Sequence, residues 1–321
     1  MKKLFLTLIA TVCTFSAAMA QDLGQVTEIY NAAAELLNAG QKAEALTKFE
    51  AALTAANALG EAGNEVAANC KGIIPSLYIS VAKGLANDNN IDSAIETLKK
   101  GIEVAKSYGD DASATEAEGL VTSLKGNQMM TAANAFLNTK QFAEAAAAYK
   151  EIIAVDPTNA TAYLRQGMAL NSIGNFDEAI LSLDKAVELF ADDAANTAAA
   201  KKQLSNAFLK KANGVYKEKN MKDALEFAQK SAEYLDNANA HMIAGNAASA
   251  LKQHKIAAEN YEAYLALIPN AKNKVQIIYQ LGTALMSMGD NAKACGYFKE
   301  IAQDEKFGEA ARYQITTLKC N

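Results

Sequence analysis

The chain has 321 residues, of which 50% are hydrophobic and 21% are charged, so it can bury a sizeable core and is not a disordered protein. Its net charge of −5 excludes the basic surface that nucleic-acid-binding proteins present, and its two histidines and four cysteines leave few ligands for a metal site. With only 3 prolines, no tryptophan and many alanines, the composition favours α-helices throughout.

The first twenty residues have the pattern of a secretory signal peptide. Lys2 and Lys3 precede an apolar stretch from Leu4 to Phe15, and residues 18–20 form an A-x-A cleavage site. The stretch is shorter than the roughly 20 apolar residues that span a bilayer, and no later segment is long and apolar enough to span one. We expect cleavage near Ala20 and an exported protein, periplasmic in a Gram-negative cell and otherwise secreted. The alternative, lipidation of Cys13, lacks the leucine that usually stands three positions before such a cysteine.

Pairs of small residues, twelve positions apart, recur along the rest of the chain. In six of seven copies a large apolar residue follows four positions after the second small residue, and most copies have a turn signal between the pair. This spacing indicates two antiparallel helices per copy, because only a small residue lets two backbones approach closely where helices cross. The pairs are Ala33/Ala45, Ala82/Ala94, Ala133/Ala145, Gly167/Ala179, Ala212/Ala224, Gly245/Ala257 and Gly282/Ala294.

The clearest copy, residues 160–190, carries Tyr163, Gly167, Leu170, Gly174 and Ala179 in positions that resemble the tetratricopeptide repeat (TPR). The resemblance implies an all-α fold, a right-handed superhelical solenoid of about seven helical hairpins with a C-terminal capping helix at residues 308–319. It predicts one solenoid domain over residues 21–321. Its repeats start near Val26, Pro75, Gly126, Ala160, Ser205, Ala238 and Val275.

Three stretches fall between the repeats, at residues 55–74, 105–125 and 194–209. They carry apolar residues at helical spacing and lack the proline- and serine-rich composition of linkers, so we predict that they lengthen neighbouring helices. Pro75 is then expected to kink a helix or to begin one.

The chain shows no sequence motif for catalysis, for a cofactor or for a metal ion. His241 and His254 are the only histidines, and they occupy positions where this repeat usually has packing aromatics. We therefore expect no enzyme activity, no catalytic residues, no cofactor and no metal site. The alternative is an enzyme. A catalytic rate that is lost on mutation of a single carboxylate would support it.

The chain that remains after cleavage at Ala20 has three cysteines. Cys295 is predicted in the second helix of the last repeat, and Cys320 just after an antiparallel capping helix, at a similar height. This placement predicts a Cys295–Cys320 disulfide in an oxidising compartment, with two free thiols as the alternative. Cys70 is expected to be a small buried apolar residue.

The resemblance implies that the first helix of each hairpin lines a concave groove. Residues three or four apart share one side of a helix, and on that side asparagines alternate with Met and Tyr. A side-chain amide both donates and accepts hydrogen bonds, so a row of asparagines can pair with the backbone of an extended peptide. The predicted groove residues are Asn127, Met130, Asn134, Asn171, Asn206, Asn213, Tyr216, Asn239, Met242, Asn246 and Tyr279.

The leading interpretation is a non-enzymatic interaction scaffold or adaptor of the cell envelope that binds a protein or an extended peptide in this groove. The alternative is an accessory component of glycan or nutrient uptake at the outer membrane, although the chain lacks the tryptophans and long loops that usually stack on sugars. Self-association also stays open. A basic clamp for the terminal carboxylate of a chaperone is not expected, because only Lys83, Arg165 and Lys210 come near the groove, in three different repeats.

Overall fold

A computed structural model describes residues 22–320, and the predicted signal peptide lies outside these residues. The described residues form fifteen α-helices and no β-strand, which confirms the predicted all-α repeat fold. The helices are α1 (residues 22–38), α2 (Lys42–Ala58), α3 (Asn64–Asn87), α4 (Ile91–Tyr108), α5 (Asp111–Asn138), α6 (Phe142–Val155), α7 (Ala160–Ile173), α8 (Phe176–Leu189), α9 (Ala194–Lys217), α10 (Met221–Tyr234), α11 (Ala238–Ala250), α12 (His254–Leu267), α13 (Lys274–Ser287), α14 (Asn291–Glu300) and α15 (Gly308–Thr317).

The chain divides into two compact units, one ending at Met129 and the other beginning at Met130. Unit 1 (described residues 22–129) contains α1 to α4 and the start of α5, and unit 2 (described residues 130–320) contains the rest of α5 and the helices that follow. The single solenoid domain over residues 21–321 stays a prediction.

Helices pair in order along the chain, so that α1 and α2 form the first hairpin and α13 and α14 the seventh. We call the first helix of each hairpin its A helix and the second its B helix. Each pair of small residues lies where the two helices cross, and all of these residues are buried. A Cβ atom built on Gly245 would lie 2.7 Å from Tyr261 Cε1, so the ring of the B helix needs a glycine there.

The turn between A and B helices has one residue in the left-handed conformation, always seven positions after the first small residue. Glycine adopts this conformation without strain, and asparagine tolerates it better than other residues do. Lysine has no such preference, yet it stands at this place in three hairpins. The seven residues are Gly40, Asn89, Lys140, Gly174, Lys219, Lys252 and Gly289.

Three A helices of unit 2, α7, α9 and α11, begin at side-chain caps. Asn159, Asp193 and Asn237 each accept a hydrogen bond from the backbone N–H three residues later, which satisfies a donor that a helix leaves free at its start. Three A helices are lengthened at their N-terminal ends: α3 and α9 have 24 residues each and α5 has 28. The three stretches between repeats thus extend helices, as predicted, and Pro75 lies buried inside α3.

The last helix, α15, covers the end of the seventh hairpin. Ala311 on this helix is fully buried, and Ile315 and Leu318 pack against the core of unit 2. A disulfide joins Cys295 of α14 to Cys320, with the two Cα atoms 5.6 Å apart. In unit 1 Cys70 is a buried free cysteine, as the sequence predicted.

In the part of the chain that the structure describes, no helix is both long enough and apolar enough to cross a membrane.

Candidate functional site

The A helices α7, α9 and α11 of unit 2 lie on the inner side of their part of the stack. α9 contacts both α7 and α11, whereas no two consecutive B helices among the described residues of this unit approach each other as closely. When the helices on one side of a stack lie closer together than those on the other side, the stack bends towards that side, which becomes its inner side. The predicted groove residues of unit 2 lie on one side of α7, α9, α11, α13 and residues 130–138 of α5. We call this side the A face.

The structure places ten of the eleven predicted groove residues on the A helices of unit 2, and Asn127 on the part of α5 that belongs to unit 1. Three are exposed, Asn127, Asn213 and Asn239, and Asn171 is buried. The half-buried ones are Met130, Asn134, Asn206, Tyr216, Met242, Asn246 and Tyr279. Their assignment to a binding groove stays a prediction.

Two of these asparagines are oriented by buried tyrosines of the neighbouring B helix. The Tyr149 hydroxyl donates to Asn134 Oδ1 at 2.6 Å, and the Tyr261 hydroxyl donates to Asn246 Oδ1 at 3.0 Å. Burial raises the pKa of the Tyr149 hydroxyl and raises the pKa of Tyr261 to about 12, so both stay protonated donors at neutral pH. Each amide keeps its Nδ2 donor, for which the described residues supply no partner.

Two cations join consecutive A helices through neutral oxygen atoms. Arg165 on α7 donates from Nη1 to Asn134 Oδ1 on α5, and Lys210 on α9 lies with Nζ 3.4 Å from the backbone oxygen of Asn171 on α7. The latter contact places a positive charge at the C-terminal end of α7, where the helix dipole favours it. No carboxylate among the described residues forms an ion pair with Arg165 or Lys210.

Two amide oxygens on the A helices lack a donor. Asn171 is only 6% exposed, and its Oδ1 atom is buried without a hydrogen-bond partner among the described residues. Gln280 Oε1 on α13 is in the same state. Buried polar atoms are normally paired, so an orphan acceptor marks a place where a further donor is missing.

Two predicted groove residues are partly used by contacts within the chain. The Tyr279 ring packs on Phe298 and Phe307, with ring centroids 5.7 and 5.6 Å apart. The Met242 sulfur accepts from Asn273 Nδ2 at 3.6 Å. Both side chains therefore offer only part of their surface to a ligand.

The charges of unit 2 are divided between its two kinds of helix. The A helices α7, α9, α11 and α13 together contain seven Lys or Arg and no Asp or Glu. Residues 130–138 of α5 carry no charge at all. The B helices of unit 2, almost equal in total length, contain twelve Asp or Glu and seven Lys or Arg. Counting charges helix by helix in the sequence predicts this division once the helix bounds are known.

No group of three metal-ligating side chains occurs among the described residues. His241, half-buried on α11, lies with Nδ1 2.9 Å from Asn260 Oδ1 and with Nε2 2.6 Å from Asp236 Oδ1. Both ring nitrogens thus have partners within the chain, which agrees with a structural role.

Two segments of the chain, residues 130–194 and residues 276–305, match sequence models of the tetratricopeptide repeat. No curated protein sequence is significantly similar to the chain. Several crystal structures are similar in fold. That of MamA protein is 24% identical with a TM-score of 0.38, over 57% of this chain and 94% of that one.

A second similar structure is YrrB, described as a TPR protein with an unusual peptide-binding site. It is 18% identical with a TM-score of 0.37, over 58% of this chain and 90% of that one. MamA from Desulfovibrio magneticus RS-1 is 19% identical with a TM-score of 0.36, over 56% of this chain and 98% of that one. The two sequence matches thus support tetratricopeptide repeats at residues 130–194 and 276–305 of this chain.

Proposed function

We propose that this chain is a non-enzymatic interaction scaffold of the bacterial cell envelope, and that it binds an extended segment of a protein along the A face of unit 2. A stack of helical hairpins exposes a long surface made of regular elements, which suits it to hold a chain rather than a small molecule. The predicted groove residues provide side-chain amides along that surface.

The observation that carries this proposal is the pair of asparagines held by tyrosines. Since the hydroxyls of Tyr149 and Tyr261 occupy the Oδ1 atoms of Asn134 and Asn246, the Nδ2 groups remain as donors for the carbonyl oxygens of a bound peptide. Asn213 occupies the same position of its repeat, and it is exposed. Donors to backbone carbonyls give binding that depends little on the sequence of the peptide.

The experiment compares three baits made from residues 21–321 with an envelope extract. One bait has the natural sequence, one carries Asn134→Asp, Asn213→Asp and Asn246→Asp, and the control carries Asn57→Asp, Asn270→Asp and Asn291→Asp at exposed sites off the A face. The first variant keeps an oxygen for each tyrosine but replaces each Nδ2 donor by an acceptor. Both variants add the same negative charge.

We expect one protein to bind the natural and control baits and to be lost from the A-face variant, with all three baits equally helical by circular dichroism. Retention of the same protein by all three baits would place the binding surface elsewhere. If the natural bait retains no protein, the scaffold proposal fails, and glycans become the next ligands to test.

Export to the envelope is part of the proposal. It is supported by the signal-peptide pattern of residues 1–20 and by the Cys295–Cys320 disulfide, a bond that persists mainly in oxidising compartments. Sequencing the N-terminus of the protein from a bacterial host should give Gln21 as the first residue in the exported fraction. A cytosolic protein that keeps Met1 would contradict export and leave the binding proposal standing.

A further inference from the structure

We infer that the segment bound on the A face of unit 2 is acidic, an inference that rests on the proposed function and adds the chemistry of the partner. The chain as a whole carries more acidic than basic residues, but the A helices of unit 2 carry only basic ones. An acid-free surface on an acidic protein attracts carboxylates and has none of its own to repel them.

The fold does not require this distribution of charge. Unit 1 forms the same kind of hairpins, with crossing residues Ala33 and Ala82 buried, yet α1, α3 and the part of α5 that belongs to unit 1 together carry seven acidic residues. These are Asp22, Glu28, Glu35, Glu65, Asp111, Glu116 and Glu118. Packing of the hairpins therefore tolerates acidic residues on A helices, and their absence from unit 2 needs another reason. A ligand that carries negative charge supplies one.

The cations of the A face keep their charge available. Amide and carbonyl oxygens hold Arg165 and Lys210 in place, but a neutral oxygen does not cancel a positive charge. The neighbouring Lys211, by contrast, forms an ion pair with Asp177 at the start of a B helix. Arg165 and Lys210 stand on consecutive A helices, so two carboxylates of one extended segment can reach them in turn.

The orphan acceptor at Asn171 lies at the same place. Its Oδ1 atom is buried without a donor, and the backbone oxygen of the same residue is the one that Lys210 contacts. If the Asn171 side chain turns to expose its Oδ1 atom, a backbone N–H group of a bound segment can satisfy it while a carboxylate of that segment meets Lys210. An acidic peptide has both groups, whereas a free anion has no N–H donor to offer.

The length of the A face suits an extended segment of a protein rather than only its last few residues. Five A helices at about 9–10 Å spacing extend over about 40 Å, which corresponds to roughly twelve residues of extended chain. Nucleic acids and anionic membranes fit less well, because the acidic B helices and the net charge of −5 repel polyanions at long range.

The test uses fluorescence anisotropy with labelled fifteen-residue peptides. One peptide repeats Glu-Ser-Ala, one repeats Gln-Ser-Ala and one repeats Lys-Ser-Ala, and each is titrated with residues 21–321. The variant carries Arg165→Gln and Lys210→Gln. The matched control carries Lys150→Gln and Lys222→Gln, which remove the same charge from exposed positions of B helices. Thermal unfolding verifies that both variants fold.

We expect the Glu peptide to bind more tightly than the Gln peptide, and the Lys peptide to bind weakest. The double A-face variant should bind the Glu peptide about tenfold more weakly, while the control variant matches the natural chain. Binding of the Glu peptide should also weaken as salt is added, since salt screens exposed charges.

Several results would overturn the inference. If the Gln and Glu peptides bind equally well, the A face binds peptides without charge preference, and the proposed function survives alone. If no peptide binds, both fail. Equal or tighter binding of fifteen-residue oligo-dT would identify a nucleic acid as the ligand. Salt-sensitive dimers in sedimentation, lost in the double A-face variant, would mean that a second copy of this chain occupies the surface.

Discussion

Two lysines on A helices, Lys83 in unit 1 and Lys210 in unit 2, differ in the groups that surround them. In unit 1, Lys83 Nζ on α3 lies 2.8 Å from Glu116 on α5, so a carboxylate of the next A helix neutralises it. In unit 2, Lys210 also lies on an A helix, α9, but its Nζ atom has a hydrogen bond only to the backbone oxygen of Asn171. The same hairpin geometry thus occurs with paired and with unpaired charges. Small crossing residues and left-handed turn residues define the hairpin, and the charges on the A helices can vary without changing it.

The largest expected difference between the units is their response to reduction. The Cys295–Cys320 disulfide belongs to unit 2, whereas the only cysteine described in unit 1, Cys70, is free. A bond that closes a loop of this length restricts the unfolded chain, and its loss should lower the free energy of unfolding by about 3 kcal/mol. Urea unfolding with and without dithiothreitol measures the effect.

The Cys320→Ser variant is the control for this prediction. It should be as unstable as the reduced natural chain and should not respond to dithiothreitol. Burial raises the pKa of the Cys70 thiol, so thiol reagents should not label this residue in the folded protein. An oxidised natural chain with the stability of the variant would contradict a structural role for the disulfide.

The crossing position separates the hairpins next, because alanine fills it in both hairpins of unit 1 and at Ala133 and Ala212 of unit 2, whereas glycine fills it in the other three. Gly245→Ala in unit 2 should destabilise the fold by about 1–3 kcal/mol, because the new Cβ would lie 2.7 Å from the buried Tyr261 ring. Gly214→Ala in α9 is the matched control. Apart from its chain neighbours and the nearby backbone of α9, no atom lies within 4 Å of the place that its new methyl group would occupy, so it should stabilise the helix by about 0.5–1 kcal/mol. Denaturant unfolding should give opposite signs for the two substitutions.

The hydrogen bond from Tyr261 to Asn246 has no counterpart in the first hairpin, where Phe49 occupies the equivalent position. Tyr261→Phe should therefore cost about 1 kcal/mol, the usual net contribution of a hydrogen bond. It should also loosen the Asn246 amide and weaken peptide binding slightly. The control is Tyr313→Phe on α15, where the side chain is exposed and no loss is expected.

The pH dependence of stability provides a second measurement for Tyr261. Its pKa is about 12 in the folded chain and about 10 when unfolded, so the folded state favours the neutral hydroxyl. The resulting stability is complete below pH 10 and is lost as the pH rises towards 12. The Tyr261→Phe variant should lose less stability over this range than the natural chain. Equal losses would assign the effect to other tyrosines.

The sequence predicted the parts of the fold that depend on local spacing. The crossing residues and the lengthened helices follow from residue type and period, and the capping helix follows from the resemblance to a helical repeat. Lys140 and Lys252 were not predicted as left-handed turn residues, because lysine does not favour that conformation and only the surrounding hairpin imposes it. The contact between Lys210 and Asn171 joins residues 39 apart in sequence, and it depends on how far a long side chain reaches across two packed helices.

The smallest expected effect on stability comes from the cations themselves. The Lys83–Glu116 pair is exposed, with 53% of each side chain accessible, so Lys83→Met should change the free energy of unfolding by less than about 1 kcal/mol. Lys210→Met should cost no more. The two substitutions should differ in binding, because Glu116 already neutralises Lys83 and nothing described in unit 2 neutralises Lys210. Lys83→Met should leave the affinity for the Glu peptide unchanged, whereas Lys210→Met should lower it. Equal losses of affinity for both variants would mean that the peptide senses only net charge, and the contrast between the two units would then have no bearing on function.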